Sequence, residues 1–146
     1  MNLFQGETKM SKLDYFINGA NETETREITV SDRFKDEKGN LATIKIKSIT
    51  QAENDALIKR ATIKQKNRNG TVTEIIDKER YTATLLLNCI VEPDFQSSEF
   101  VSKMGVADPV DALMKLFRPG EYAKISEAVL DLMGINMDIG DVAKNS

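Results

Sequence analysis

Tyr81-Thr82-Ala83-Thr84-Leu85-Leu86-Leu87-Asn88-Cys89-Ile90-Val91-Glu92-Pro93-Asp94-Phe95 is the stretch whose reading decides the fold. From Tyr81 to Val91 it is apolar nearly all round. As a helix it is central and buried; as a strand it is long for the pattern. Thr82, Thr84, Ile90 and Val91 favour strand. Length and the preceding Asp77-Lys78-Glu79-Arg80, a cap and first turn, favour helix. A buried helix ending at Pro93 is therefore expected, since the residue before a proline is pushed toward extended backbone.

Working outward from that helix, the N-terminal side changes period. Glu24–Val30 and Leu41–Lys47 alternate polar with β-branched residues, and Lys35–Asn40 between them is a polar turn containing Gly39. The pattern predicts an antiparallel β-hairpin, with Ile44 and Ile46 on one face and Lys45 and Lys47 on the other. Ahead of it, Ser11 and Asp14 mark the start of a short helix or arm whose apolar face is Leu13, Phe16 and Ile17, stopped at Asn18-Gly19. After the hairpin, Thr50-Gln51-Ala52-Glu53 is a capping box. It opens a helix expected to run to about Gln65, with Ala56, Leu57, Ala61 and Lys64 on one side and Gly70 as its left-handed stop. Thr71–Ile76 is β-prone and supplies a possible third short strand.

On the C-terminal side, Ser97 or Ser98 caps a short helix through Met104. Asp108-Pro109-Val110-Asp111 starts another helix, whose apolar side is Val110, Leu113, Met114 and Phe117. Pro119-Gly120-Glu121 restarts a helix with Tyr122, Ile125, Val129, Leu132 and Met133 on its face. The fold class is thus α+β: an N-terminal antiparallel hairpin packed with a mainly helical C-terminal part. Residues 1–137 read as a single domain and residues 138–146 as a mobile tail. A chain of 146 residues has enough length for one real core.

Composition removes much chemistry. There is no histidine, so Ser-His-Asp, Cys-His and His-ligated zinc sites are unavailable within one chain. The single cysteine, Cys89, lies late in the apolar run without a residue that would activate it, and reads as core packing. One cysteine also fits a reducing compartment, the N-terminus does not read as a signal peptide, and no apolar run suggests a membrane span. The close acidic pairs Asp108/Asp111, Glu92/Asp94 and Asp138/Asp141 follow no calcium-loop or nuclease pattern; no catalytic, cofactor or metal residue is assigned. Net charge is −3 and aromatics are 6%, which gives no general pull toward nucleic acid. The basic run from Lys59 to Arg68 is the one segment that supports an alternative, a small nucleic-acid-binding regulator. Four of the six methionines, Met104, Met114, Met133 and Met137, lie in the C-terminal part, where they either fill the core or form an adaptable protein-binding surface.

The run Tyr81–Phe95, followed by Gly105-Val106, Asp108-Pro109 and Phe117-Arg118-Pro119-Gly120-Glu121-Tyr122, resembles the tail assembly chaperones of phages and PBSX-like prophages. In that family an apolar helix, a Pro-Asp-Phe turn and a Leu-x-Pro-Gly-Glu-Tyr helix come in this order. Here Phe117-Arg118 stands in place of the leucine and the variable residue. The resemblance covers Asp77 to Gly134, and the N-terminal half in element order only. It implies a non-enzymatic protein of siphovirus- or myovirus-type tail assembly, without cofactor, acting in the bacterial host cytoplasm. Such a protein binds the tape measure protein, helps tail tube subunits assemble around it, and is absent from the mature tail. Self-association and a frameshifted extended form with its junction near Ala143–Ser146 also fall within what the resemblance implies. Partner contact is then expected on the last two helices, at Met114, Phe117, Tyr122, Ile125, Val129 and Met133; the same residues equally suit a core.

Overall fold

A computed structural model describes residues 9–135. The mobile tail expected at 138–146 lies outside them. Local caps start most of the helices. α1 (Lys12–Asn21) opens with the Ser11/Asp14 capping box and runs through Gly19, past the stop expected at Asn18-Gly19. A helix end comes from the loss of the next hydrogen bond, and Glu22 N–H still reaches the Gly19 carbonyl.

β1 (Thr25–Thr29) and β2 (Thr43–Lys47) form the expected antiparallel hairpin, with Ile28 opposite Ile44 and Arg26 opposite Ile46. The Asp36 carboxylate accepts from the Lys38 and Asn40 amides, and Gly39 takes the positive φ that closes the turn. Ile44 and Ile46 are buried while Lys45 and Lys47 lie on the opposite face, as their alternation requires.

α2 (Gln51–Ala61) begins with the Thr50/Glu53 capping box but ends four residues before the expected Gln65. Thr62–Lys66 is instead β3, paired antiparallel with β4 (Val72–Ile76) around a turn at Asn67–Gly70. Lys64 therefore faces Glu74 across a ribbon and does not stack under Leu57, and Ala56 is exposed; the buried side of α2 is Asn54, Leu57 and Ala61. Gly70 takes its positive φ in the hairpin turn rather than at a helix end. Cross-strand pairing of β-branched Thr62 and Ile63 with Ile76 and Ile75 outweighs the helix propensity of Lys64–Lys66. This ribbon is a sheet of its own and does not extend the first hairpin.

α3 (Lys78–Cys89) is the central buried helix, capped by Asp77. Its last expected residues leave the helix: Ile90–Glu92 is β5, the third strand of the first sheet, in the order β1-β2-β5. Ile46 pairs with Ile90 and Lys45 with Glu92, so the register slips between Lys45 and Ile46. The change from helix to strand at Cys89–Ile90 places β-branched Ile90 and Val91 where β2 offers an unpaired edge.

α4 (Ser98–Met104), α5 (Pro109–Leu116) and α6 (Pro119–Leu132) complete the chain, begun by Ser97, Asp108 with Pro109, and Arg118 with Pro119. Gly105 and Gly134 take positive φ where α4 and α6 stop. α3 packs against α2, α5 and α6, and α6 reaches β2. The core is Ile44, Ile46, Leu57, Tyr81, Leu85, Leu86, Leu113, Ile125 and Val129 with their neighbours. Inside it the Tyr81 hydroxyl donates to the Asn54 side-chain carbonyl, satisfying two polar groups that burial would otherwise penalise.

Candidate partner-binding surface

Cys89 is the last residue of α3 and fully buried. Burial pushes its thiol up to about 12, more than the Lys47 charge can offset, and Glu53 adds to the rise. A nucleophilic thiol needs the opposite shift. Among the described residues, no group of three or more acids or thiols is placed to hold a metal ion.

The strongest polar cluster joins two segments 88 residues apart. Arg33, just after β1, grips Glu121 in the first turn of α6 with both arms of its guanidinium. Nε lies 2.7 Å from Oε2 and Nη2 lies 2.7 Å from Oε1. Nη2 also donates to the Leu116 carbonyl at 2.6 Å, at the end of α5. The Ser31 hydroxyl donates to Glu121, and the Arg118 amide donates to it at 2.7 Å. Arg33 is the main reason the Glu121 carboxyl is held down to about 2; desolvation opposes it, and the Arg118 and Ser31 hydrogen bonds add to it. Fork-to-carboxylate geometry makes this a positional clamp. It fixes the loop after β1 against the break between α5 and α6.

The clamp also sets aromatic rings. The Arg33 guanidinium lies 4.4 Å from the centre of the Phe34 ring. Phe34 meets Phe117 edge-on at 5.8 Å, Phe117 meets Phe95 edge-on at 5.9 Å, and Phe95 meets Phe100 at 4.9 Å. These rings, with Ile44 and Leu116, line an apolar cleft of about 250 Å³. Pro93 and Phe95, at the end of the Tyr81–Phe95 run, form part of its wall.

The six residues expected at a partner surface differ in how open they are. Met114 is open to solvent, with 49% of its surface exposed. Tyr122 and Met133 are partly buried against the core. Phe117 is buried among the rings, and Ile125 and Val129 are fully buried. The Tyr122 hydroxyl is buried without a hydrogen-bond partner among the described residues, and desolvation pushes it up to about 12. The basic run is split: Lys59 and Arg60 close α2, while Lys64 and Lys66 sit on β3 opposite Glu74 and Val72.

Two open apolar features lie elsewhere. On the β3–β4 ribbon Ile63 and Ile75 form a directly opposed pair, and both are exposed. On α1 the face made by Leu13, Phe16 and Ile17 is open, at 67% for Leu13 and 78% for Phe16, and the helix buries no residue. The α1 face was visible as a pattern in the sequence; its lack of cover was not.

The model of the Phage XkdN-like tail assembly chaperone protein family matches residues 13–145, nearly the whole chain. The chain belongs to this family. Among its relatives, the Phage-like element PBSX protein XkdN of Bacillus subtilis (strain 168) is 29% identical over 137 residues, 92% of each chain. The protein YqbN of the same strain is 31% identical over 143 residues, covering 94% of this chain and 95% of the relative. The crystal structure of YqbN matches with a TM-score of 0.68 and 25% identity, over 88% of this chain and all of that one. The tail assembly chaperone assignment drawn from Tyr81–Phe95 and Phe117–Tyr122 therefore stands, and so does the α+β class. The match also reaches the N-terminal half, where the sequence resemblance extended only to the order of elements.

Proposed function

We propose that this chaperone binds the tape measure protein before the tail is built. It holds apolar helical surface in solution until tail tube subunits replace it, and it is absent from the mature tail. Family membership across residues 13–145 is the observation that carries this reading. The host cytoplasm is the compartment where that exchange takes place. No helix among the described residues is long and apolar enough to cross a membrane.

The exposed apolar side chains support such a role. A holding protein needs modest contacts that a better partner can displace, and a flexible, polarizable methionine suits that use. Of the six residues expected at the contact, Met114 is the one that offers an open side chain without any rearrangement, with Tyr122 and Met133 partly accessible.

Co-expression tests the proposal. A tape measure fragment that is insoluble alone is expected to stay soluble and co-purify with this chain. A fragment that neither co-purifies nor gains solubility refutes the reading. Binding that shows up instead as a salt-sensitive gel shift, lost when Lys59–Arg68 are reversed in charge, would mark a nucleic-acid role.

A further inference from the structure

The β3–β4 ribbon is a two-stranded sheet of its own, and eight of its ten residues are exposed. Two strands alone are marginal in water until something packs on them or a further strand joins. The bonding pattern shows which edge groups stay open. Asn67 N–H donates to the Thr71 carbonyl at 2.8 Å, and Asp77 N–H donates to the Ala61 carbonyl at 2.8 Å. Antiparallel pairs alternate between these two bonds, so Ile63 and Gln65 turn their amides and carbonyls inward to β4. Lys64 and Lys66 turn theirs outward, and among the described residues no strand pairs with that side of β3. This is an open β edge, a template for strand addition.

Charge decides what that edge accepts. From Lys59 to Ile76 there are five basic residues and one acid, Glu74, a local charge of +4 in a chain of net −3. Lys64 has Glu74 across the ribbon and Lys66 has Val72, yet neither lysine is in an ion pair among the described residues. Lys64 and Lys66 share one face of the ribbon, while Ile63, beside Ile75, lies on the other. A second copy of β3 fits this edge badly. Outward-turned residues bond to outward-turned residues, so it would set lysine against lysine. Nucleic acid is poorly served as well, because no aromatic side chain from Thr62 to Ile76 offers a stacking face.

We propose that the outer edge of β3 takes an antiparallel strand from a partner protein, an extended segment with acids at two alternate positions followed by a β-branched apolar residue. The acids meet Lys66 and Lys64. The main chain of the segment bonds to the outward amides and carbonyls of the same two lysines. The apolar side chain extends the Ile75–Ile63 row on the other face. In strand addition the main-chain bonds give affinity, and the cross-strand side chains choose the partner. Edge lysines discourage pairing with like strands, so the residues that keep copies apart admit an acidic strand. This contact is distinct from the helical surface of the tape measure reading and does not depend on it.

The test uses the full chain and the capped peptide Thr-Glu-Thr-Glu-Ile-Thr, followed by amide NMR shifts. Saturable binding below about 1 mM is expected. At saturation, hydrogen exchange of the Lys64 and Lys66 amides is expected to slow by about tenfold or more. The same peptide with lysine in place of glutamate is expected to bind weaker by about tenfold or more. Lys66→Gln and Lys66→Pro both lose the charge, but proline alone also loses the outward amide, a change an edge strand tolerates. Lys66→Pro is expected to bind weaker than Lys66→Gln by about tenfold, with the wild-type unfolding midpoint kept by both. If proline lowers that midpoint, amide exchange in the wild type decides the matter. No saturation in that range, equal binding of the two peptides, or unslowed exchange each overturns the proposal. So do equal effects of folded glutamine and proline variants, and so does a ribbon that responds to duplex DNA and not to the acidic peptide.

Discussion

Ile125 and Met114 have the same standing in the sequence and opposite places in the structure, and this sets up the sharpest test. Ile125 is fully buried, packed with the helices around α3. Truncation to alanine removes three methyl or methylene groups, about 0.8 kcal/mol each, or about 2.4 kcal/mol of transfer free energy. Incomplete collapse of the site adds to that, which puts the expected loss at about 3 kcal/mol, inside the range of about 2–5 for such changes. With a urea slope of about 1.5–2 kcal/mol per molar, the unfolding midpoint should fall by roughly 1.5–2 M. Met114→Ala, half open on α5, should move stability by no more than about 0.5 kcal/mol. The assay is urea unfolding followed by circular dichroism, run beside a pull-down of a tape measure fragment. Ile125→Ala is expected to lose stability while its still-folded fraction keeps the fragment; Met114→Ala is expected to show the reverse. If Ile125→Ala keeps the wild-type midpoint and releases the fragment, Ile125 faces a partner and its place in the packing of α6 against α3 is wrong.

Tyr122→Phe should be neutral or stabilising by up to about 1 kcal/mol, because it deletes a buried hydroxyl that has no partner among the described residues; thermal melts of the two proteins check it. The Glu121 carboxyl is held to about 2 in the folded chain, so its contribution is complete above the ordinary carboxylate range and is lost as pH falls toward 2. Stability of the wild type measured from pH 6 to pH 2 should drop through that window, and Glu121→Gln should be less stable at pH 6 with a shallower fall. Cys89 should resist a thiol-labelling reagent at pH 8 in the native protein and react fully in denaturant; rapid native labelling would contradict its burial.

The helix starts were legible because their causes are local. Ser11 with Asp14 and Thr50 with Glu53 satisfy backbone amides within one turn, and the Asp108 carboxylate accepts from the Asp111 amide while Pro109 fills the first helical position, whatever the rest of the chain does. The ends of α2 and α3 were not legible, because Thr62 and Ile90 become strand through pairing with Ile76 and Ile46, far along the chain. The Arg33–Glu121 clamp was hidden for the same reason: Glu121 read only as part of the Pro119-Gly120-Glu121 helix restart, and nothing near Arg33 pointed to it. Periodicity placed Leu113, Met114, Ile125 and Val129 on apolar helical positions, but it cannot tell which of them another element covers. Leu113 is buried and its neighbour Met114 is open because α5 presents only one side to α3.

At Ala61–Thr62 and again at Cys89–Ile90 a helix passes into a strand with no intervening loop. One residue added to a helix turns the chain beyond it by about 100°, and one added to a strand swaps its two faces. An insertion within Tyr81–Val91 would therefore send Ile90 away from Ile46 and disturb both the helix packing and the sheet at once. The turns at Asp36–Asn40 and Asn67–Thr71 carry no such coupling and can lengthen freely. Chain length is thus fixed by geometry from Tyr81 to Val91 and left open at the two hairpin tips, which makes those tips the places to insert a tag or probe.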